Sequence, residues 1–343
     1  LNHRLRIAAG FAITAVLLWL AVRDVDFAQV GQIFAQARLW WALPAALCVS
    51  LGYLVRTRRW GSLLAPVKRV PFPTLFNSLI LGFAANNVLP ARVGELVRAH
   101  TLGTKANISR STAFSTIVVE RVFDGLTLIA FMGVVLLLFP LRGELPEIRA
   151  VTVASAVIFL TVGVGMVILL LNEALALRVA RFVLRRFPVR IAARAERLVV
   201  NLLDGLKALR VRRHLAAIIA LSVVVWSLEA SGYYFVLEAL DVPLTTSQQV
   251  VAALFLLVFV NLGIMIPSAP GYIGTFQLFA KIALSAFGVG AAMGFSVAIL
   301  AHAIQYFLVT GAGLVVFIRE HLTLGAIVPT SALEPRLGEP TGD

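Results

Sequence analysis

Residues 291–318 read AAMGFSVAILAHAIQYFLVTGAGLVVFI, with no Asp, Glu, Lys or Arg among them. A helix buried in a soluble core normally keeps a charged face for water. Crossing the hydrocarbon of a bilayer instead takes about 20 apolar residues, and this run supplies them. Working outward, comparable runs occupy 7–22, 39–55, 111–139, 151–171 and 215–237. Across the 343 residues 60% are apolar and 14% are charged, and mean hydropathy is +0.93. Soluble chains carry about 25% charged residues, so bilayer solvent accounts for the shortfall. The fold class that follows is an all-α polytopic membrane protein.

The net charge of +13 does not point to nucleic acid. The basic residues gather between the apolar runs, as positive-inside topology requires, so anionic lipid headgroups are the expected partner. Cys48 is the single cysteine and five histidines show no metal spacing, which excludes an intrachain disulfide and argues against a Cys/His metal site. No cofactor is expected. His302, deep in its run, reads as a packed or locally bonded histidine. The first run follows Arg4 and Arg6 like a signal peptide, but no cleavage site follows, and it reads as a retained span. Trp40 and Trp41 open the second run, where aromatic rings favour the interface.

Two more apolar stretches are interrupted. Residues 72–99 break at Asn86-Asn87-Val88-Leu89-Pro90 and resume through Arg92, Gly94, Glu95 and Arg98. Residues 250–287 break at Asn261 and again across Pro267, Pro270, Gly271 and Gly274. Backbone groups freed by such breaks must find partners, so breaks survive only against protein or a water-filled cavity. Both stretches read as broken re-entrant hairpins, giving about six full spans; a hairpin that crosses would change the count. Arg56, Arg58, Arg59, Lys68 and Arg69 before the first hairpin, and Lys105 and Arg110 after it, place both its ends in the cytoplasm. Residues 172–214 carry eleven Lys/Arg and three acids and read as a cytoplasmic, amphipathic segment on anionic lipid. The loops at 23–26, 141–149 and 238–249 are weakly charged. Both termini then lie in the cytoplasm of a multi-pass inner-membrane protein.

The halves, about 1–140 and 150–320, share an order of span, broken hairpin and span. Both breaks carry an Asn and then Pro-x-x-x-Gly, Pro90 to Gly94 and Pro270 to Gly274. Interrupted segments at matching places in inverted halves point to a transporter site at their interface; two unrelated proline kinks are the alternative. The membrane domain then covers 1–320, and 321–343, with Pro329, Pro335 and Pro340, reads as a disordered tail.

Ionisable groups at membrane depth cost roughly 2.5–3.5 kcal/mol or more and usually face a cavity or a partner. Glu95 and Arg98 are three residues apart and share a helix face, either at a functional site or as an intrahelical ion pair. Glu120, Arg121 and Asp124 form a second group, either functional or locking helices together. Glu229 lies midway along its span. Gln277 and Lys281 follow the second break, and Lys281 reads as structural.

The stretches 87–98 (NVLPARVGELVR), 119–124 (VERVFD) and 267–274 (PSAPGYIG) resemble the hallmark segments of the flippase-like membrane family typified by the transmembrane domain of lysylphosphatidylglycerol synthases. The resemblance covers nearly the whole chain. It implies movement of a phospholipid or lipid-linked polar headgroup between leaflets, with no aminoacyltransferase activity, since that belongs to a separate soluble domain. Tyr272 stands where the family commonly has a second Gly, and Gln277 where it has an acid; the amide leaves less negative charge for a cationic headgroup.

The expected function is therefore lipid translocation from a cavity between the hairpins, by a transporter rather than an enzyme. Asn86, Asn87 and the exposed backbone would supply hydrogen bonds, and Arg92, Arg98 and Arg121 would hold phosphate. Glu95, Glu120, Asp124 and Glu229 would balance them. The sequence has no G-x-x-x-x-G-K-[ST] motif, so transport is downhill, ion-coupled or driven by a partner, and oligomerisation is compatible with it. An intramembrane lipid-modifying enzyme, or a scaffold for a separate lipid- or glycan-modifying enzyme, are the other readings.

Overall fold

The computed structural model describes residues 3–89, 93–138, 173–186, 212–266 and 270–322, with isolated positions between 157 and 200. Among the described residues the regular structure is entirely helical. Helix α1 (His3–Val22) leads through Asp26, whose carboxylate accepts from the backbone N–H of Ala28 and Gln29, into α2 (Phe27–Gln36). A 3₁₀ turn at Leu39–Trp41 starts α3 (Ala42–Leu64). The first broken stretch is α4 (Phe72–Val88) and α5 (Gly94–Ala106), and α6 (Arg110–Leu138) follows. After α7 (Glu173–Leu184) come α8 (Arg212–Ala239) and α9 (Thr246–Gly263). A 3₁₀ turn at Pro270–Tyr272, α10 (Thr275–Ser285) and α11 (Ala291–Arg319) complete the described chain.

Among the described residues, four helices are long and apolar enough to cross a membrane: Leu39–Leu64, His214–Ala239, Thr246–Gly263 and Ala291–Arg319. The second expected span runs nine residues further than its apolar sequence, to Leu64, carrying Arg56 and Arg59 inward. Most of the run at 151–171, most of 185–211 and the tail from 323 lie outside the described residues. So do Pro90, Arg92 and Pro267. Within the basic segment, α7 is seen, with Phe182 exposed and Arg181 paired with Glu196 at 2.7 Å.

Position within the bundle follows sequence. Helix α9 is apolar all round, and such a helix belongs at the centre; Phe255, Leu256, Leu257 and Phe259 are fully enclosed by α8, α10 and α6. Helix α3 packs lengthwise against α8. A second core joins Trp60, Leu63, Leu79, Leu102, Ile117 and Ile218, and a third fixes α1 and α2 against α10 and α11. Lys281 ties α10 to α1: its ammonium donates to the Leu20 and Ala21 carbonyls and pairs with Asp24. The structural reading of Lys281 thus holds.

Both broken stretches fold back on themselves. In lipid, helices associate through close packing of small residues rather than through water exclusion. At the first hairpin, a Cβ on Gly94 would stand 2.0 Å from the Gly82 carbonyl oxygen, so only glycine permits this crossing of α4 and α5. The Asn86 side chain accepts from the Gly94 N–H at 2.7 Å. It thereby satisfies a donor that the broken helix leaves open at the start of α5. In the second hairpin, the turn before α10 runs through Gly271, Tyr272 and Gly274 at φ 71°, 59° and 84°. The Gln277 side-chain oxygen accepts from the Gly274 N–H at 2.8 Å and completes that turn.

Candidate functional site

The two turns meet. A Cβ on Gly271 would lie 3.2 Å from the Asn87 carbonyl oxygen and 2.9 Å from the Tyr306 ring. Beside this contact opens a cavity of about 120 Å³. The first hairpin contributes Asn86, Asn87 and Glu95 to its wall, and the second contributes Asn261, Tyr272 and Phe276. Arg56 from α3, Arg121 from α6, Glu229 from α8 and His302 from α11 also line it. Four of the chain's five tyrosines, Tyr53, Tyr233, Tyr272 and Tyr306, face the same space. The wall therefore offers both charges, three side-chain amides from asparagine, and aromatic faces.

One side of the cavity carries an ion pair. Arg56 donates to Glu229 at 2.5 Å and lies over the Trp226 ring, 4.6 Å from its centroid. Asn261 holds its place by donating to the Leu257 carbonyl at 2.8 Å and reaches Glu229 at 3.5 Å. Asn87 donates to the Thr310 hydroxyl at 3.0 Å, tying the first break to α11.

The opposite side backs onto a charge cluster. Arg59, fully buried, donates to Asp124 at 2.7 Å, to Ser222 at 2.9 Å and to Glu120 at 3.1 Å. Arg98 donates to the other oxygen of Glu120 at 2.6 Å and stacks over Trp60 at 3.7 Å from the ring centroid. Trp226 donates its indole N–H to Asp124 at 3.1 Å. Arg121 lies 3.3 Å from both acids. Three guanidiniums thus meet two carboxylates, and Glu95 on the cavity wall is the nearby acid that evens the count. Arg121 differs from its partners in that its side chain is 42% exposed. It also lines the cavity. It is the cation of the cluster that a bound anion can meet.

Several expectations need correction. Glu95 and Arg98 share a face but do not pair: Arg98 is taken by Glu120, while Glu95 accepts from Asn86 at 3.5 Å. Arg98 and Glu120 are buried behind the cavity wall rather than on it. Arg56 and Arg59, counted with the cytoplasmic flank, are buried and paired with acids; Arg58 alone of the three is exposed. Gln277 does not reach the cavity. Its oxygen closes the Gly274 turn, and its nitrogen lies 2.9 Å from His302 Nδ1. The amide donates there, so His302 Nδ1 accepts and the ring carries its proton on Nε2. Pro270 and Gly274 shape the second turn, and Gly94 the first, without lining the cavity. Asp124 sits one layer behind the wall, whereas Glu229 and Asn261 are on it.

Sequence reasoning missed Arg56, Arg59 and the tyrosines. A signal for the arginines existed: Tyr53, Arg56, Trp60 and Leu63 recur at helical spacing beyond the apolar run, so the inward face of α3 continues through them.

Residues 7–313 match the family described as lysylphosphatidylglycerol synthase TM region. The chain belongs to that family. The chain is similar to glycosyltransferase AglD of Haloferax volcanii, 26% identical over 329 residues, covering 89% of this chain and 53% of that protein. The chain thus spans about half the length of AglD. A UPF0104 membrane protein of Pyrococcus horikoshii is 23% identical over 332 residues, 89% of this chain and 93% of its own. Another, from Methanothermobacter thermautotrophicus, is 29% identical over 320 residues, 88% of each chain. The structure also gives meaning to Tyr272, where the resemblance led us to expect glycine. Its φ of 59° is a conformation that costs an L-residue roughly 1–2 kcal/mol, and the ring it carries forms part of the cavity wall.

Proposed function

We propose that the chain moves a phospholipid or a lipid-linked polar headgroup between leaflets. The observation that carries this reading is the charged, aromatic cavity that both broken hairpins line within an otherwise apolar bundle. Uncompensated polar groups are costly at membrane depth, and a polar cargo that must pass the hydrocarbon is a reason to keep them. At about 120 Å³ the space suits the polar part of a lipid, while acyl chains stay outside. Arg121 meets the phosphate, Glu95 and Glu229 balance the charge, and the asparagines and tyrosines satisfy hydroxyls or amines. In this reading the hairpins re-enter the membrane between about six full spans, the protein is a transporter rather than an enzyme, and both termini face the cytoplasm of the inner membrane.

The test is a leaflet-accessibility assay with a fluorescent phospholipid in proteoliposomes. Wild-type protein should accelerate exchange over protein-free vesicles, and Arg121→Gln and Glu229→Gln should abolish the gain while the protein still folds. Equal exchange with and without protein, across phospholipids and a lipid-linked sugar, would sink the reading. The name of AglD favours a second one, in which the domain supports a glycan-modifying enzyme. Its sign would be a requirement for the protein in lipid-linked glycan synthesis that survives both substitutions.

A further inference from the structure

Away from the central cavity, a groove of about 460 Å³ lies where the end of α3, the start of α4 and the start of α8 converge. Arg58, Arg69 and His214 supply its polar side, Val70, Phe72 and Leu75 its apolar side, and among the described residues no acid lines it. Two neighbouring lysines are engaged elsewhere: Lys68 donates to the Ala106 carbonyl, and Lys105 pairs with Glu320. Arg58 and Arg69 are exposed, and among the described residues neither has an acidic partner. Two open guanidiniums thus converge on a pocket with one apolar wall.

The approach to the groove is equally specific. Leu43, Leu47, Leu51 and Leu54 form an exposed stripe along α3, and at helical spacing that stripe ends on Arg58. From Leu47 to Arg58 the helix rises about 16 Å, close to the roughly 15 Å of hydrocarbon in one leaflet. An acyl chain lying on the leucines would bring its headgroup to the arginines. Guanidinium pairs with phosphate through charge-assisted, often forked, hydrogen bonds.

We propose that this groove binds the phosphate headgroup of an anionic phospholipid, whose acyl chains lie along the leucine stripe of α3. Charge complementarity selects the occupant: a zwitterionic lipid would bring its own cation against Arg58 and Arg69. The site is separate from the central cavity and stands without the translocation reading.

Native mass spectrometry of the full chain in mild detergent, with added phosphatidylglycerol or phosphatidylcholine, tests this. One phosphatidylglycerol per chain should be held in preference to phosphatidylcholine. The double variant Arg58→Gln/Arg69→Gln should hold it at least about tenfold more weakly, since each lost charge-assisted contact is worth roughly that factor or more. Wild-type protein offers a reading independent of any variant: phosphatidylglycerol should raise its thermal midpoint more than phosphatidylcholine does. Equal retention of both lipids, or undiminished retention by the double variant, overturns the site. Loss of the lipid in Arg121→Gln, which changes the central cavity and its charge cluster but no residue lining the groove, would assign the lipid there and likewise overturn it. Displacement by millimolar inorganic phosphate would identify a soluble anion as the ligand instead.

Discussion

Arg98 reaches across from the first hairpin to Glu120 on α6 at 2.6 Å, leaving Glu95, its neighbour on the same helix face, to the cavity. One residue of that face braces the fold and the other faces the enclosed space. The cluster around Glu120 is a junction of α3, α5 and α6, held by opposite charges of which Arg59, Arg98 and Glu120 are buried.

The arithmetic of that junction makes the cost of each change unequal. Glu120→Gln leaves Arg59, Arg98 and Arg121 against Asp124 alone, and breaking a buried pair in this way typically costs about 3–5 kcal/mol. Arg98→Gln leaves two cations against two acids and should cost less, about 1–3 kcal/mol. A double-mutant cycle by unfolding in detergent should find strong coupling between Arg98 and Glu120. Between Glu95 and Arg98 the coupling should stay below about 0.5 kcal/mol; a larger value would restore the intrahelical pair.

Arg121 is predicted to separate activity from stability. Since it lines the cavity, Arg121→Gln should reduce phospholipid exchange at least about tenfold, the worth of one charge-assisted contact. Arg121→Lys should recover part of it, because the charge returns without the forked geometry. Circular dichroism and thermal midpoints of both variants should stay near wild type. A collapse of the fold in the lysine variant would make Arg121 a brace like Arg98.

The second turn yields a backbone prediction. Gly271→Ala adds a methyl group at positive φ against the Asn87 carbonyl and the Tyr306 ring, and should cost roughly 1–3 kcal/mol. Tyr272→Gly removes strain at its own left-handed position, so it should leave stability unchanged or slightly raised while impairing exchange through loss of the ring. Unfolding midpoints set beside exchange rates check both; a Tyr272→Gly protein that is clearly less stable would mean the ring is mainly a core residue.

Topology is open to a direct measurement. Lys68 donates to the Ala106 carbonyl, so both ends of the first hairpin emerge together. In a Cys48→Ala background, cysteines at Arg69 and Thr104 should react alike with an impermeant thiol reagent in intact cells, and both should be protected if that side is cytoplasmic. Labelling of one and not the other would show that the stretch crosses the membrane.

Asp24 carries a pH signature outside the hydrocarbon. The Lys281 ammonium hydrogen-bonds its carboxylate and lowers its pKa below the ordinary aspartate value. A depressed carboxylate pKa contributes stability above the unfolded-state value, about 3.9, and loses it as pH falls through the folded-state value. Thermal midpoints recorded downward from about pH 5 should therefore fall more steeply for wild type than for Asp24→Asn. Parallel curves would remove Asp24 from the acid response.

The helices and both breaks were legible because lipid imposes them: a spanning run must be long and apolar, and a proline break must be sheltered. What escaped was the direction of charge. Arg56 and Arg59 satisfy the positive-inside pattern by composition while the helix phase of α3 turns them inward, and composition carries no phase. Glu95 and Arg98 have the spacing of an ion pair, yet the competing acid is contributed by α6, 22 residues further along. The tyrosines at 53, 233, 272 and 306 share no sequence pattern and become neighbours only when α3, α8, the second turn and α11 pack together. Gln277 resembled a lost charge; only the turn geometry reveals an amide occupied at both ends.

The meeting of Gly271 with Asn87 has a kinetic consequence. Gly271 packs against both the Asn87 carbonyl and the Tyr306 ring, so the two turns bound the cavity together. On the proposed translocation reading, a headgroup that leaves past this contact needs the turns to part, a motion of the microsecond-to-millisecond class. Turnover on that reading follows how often two loops let go of each other.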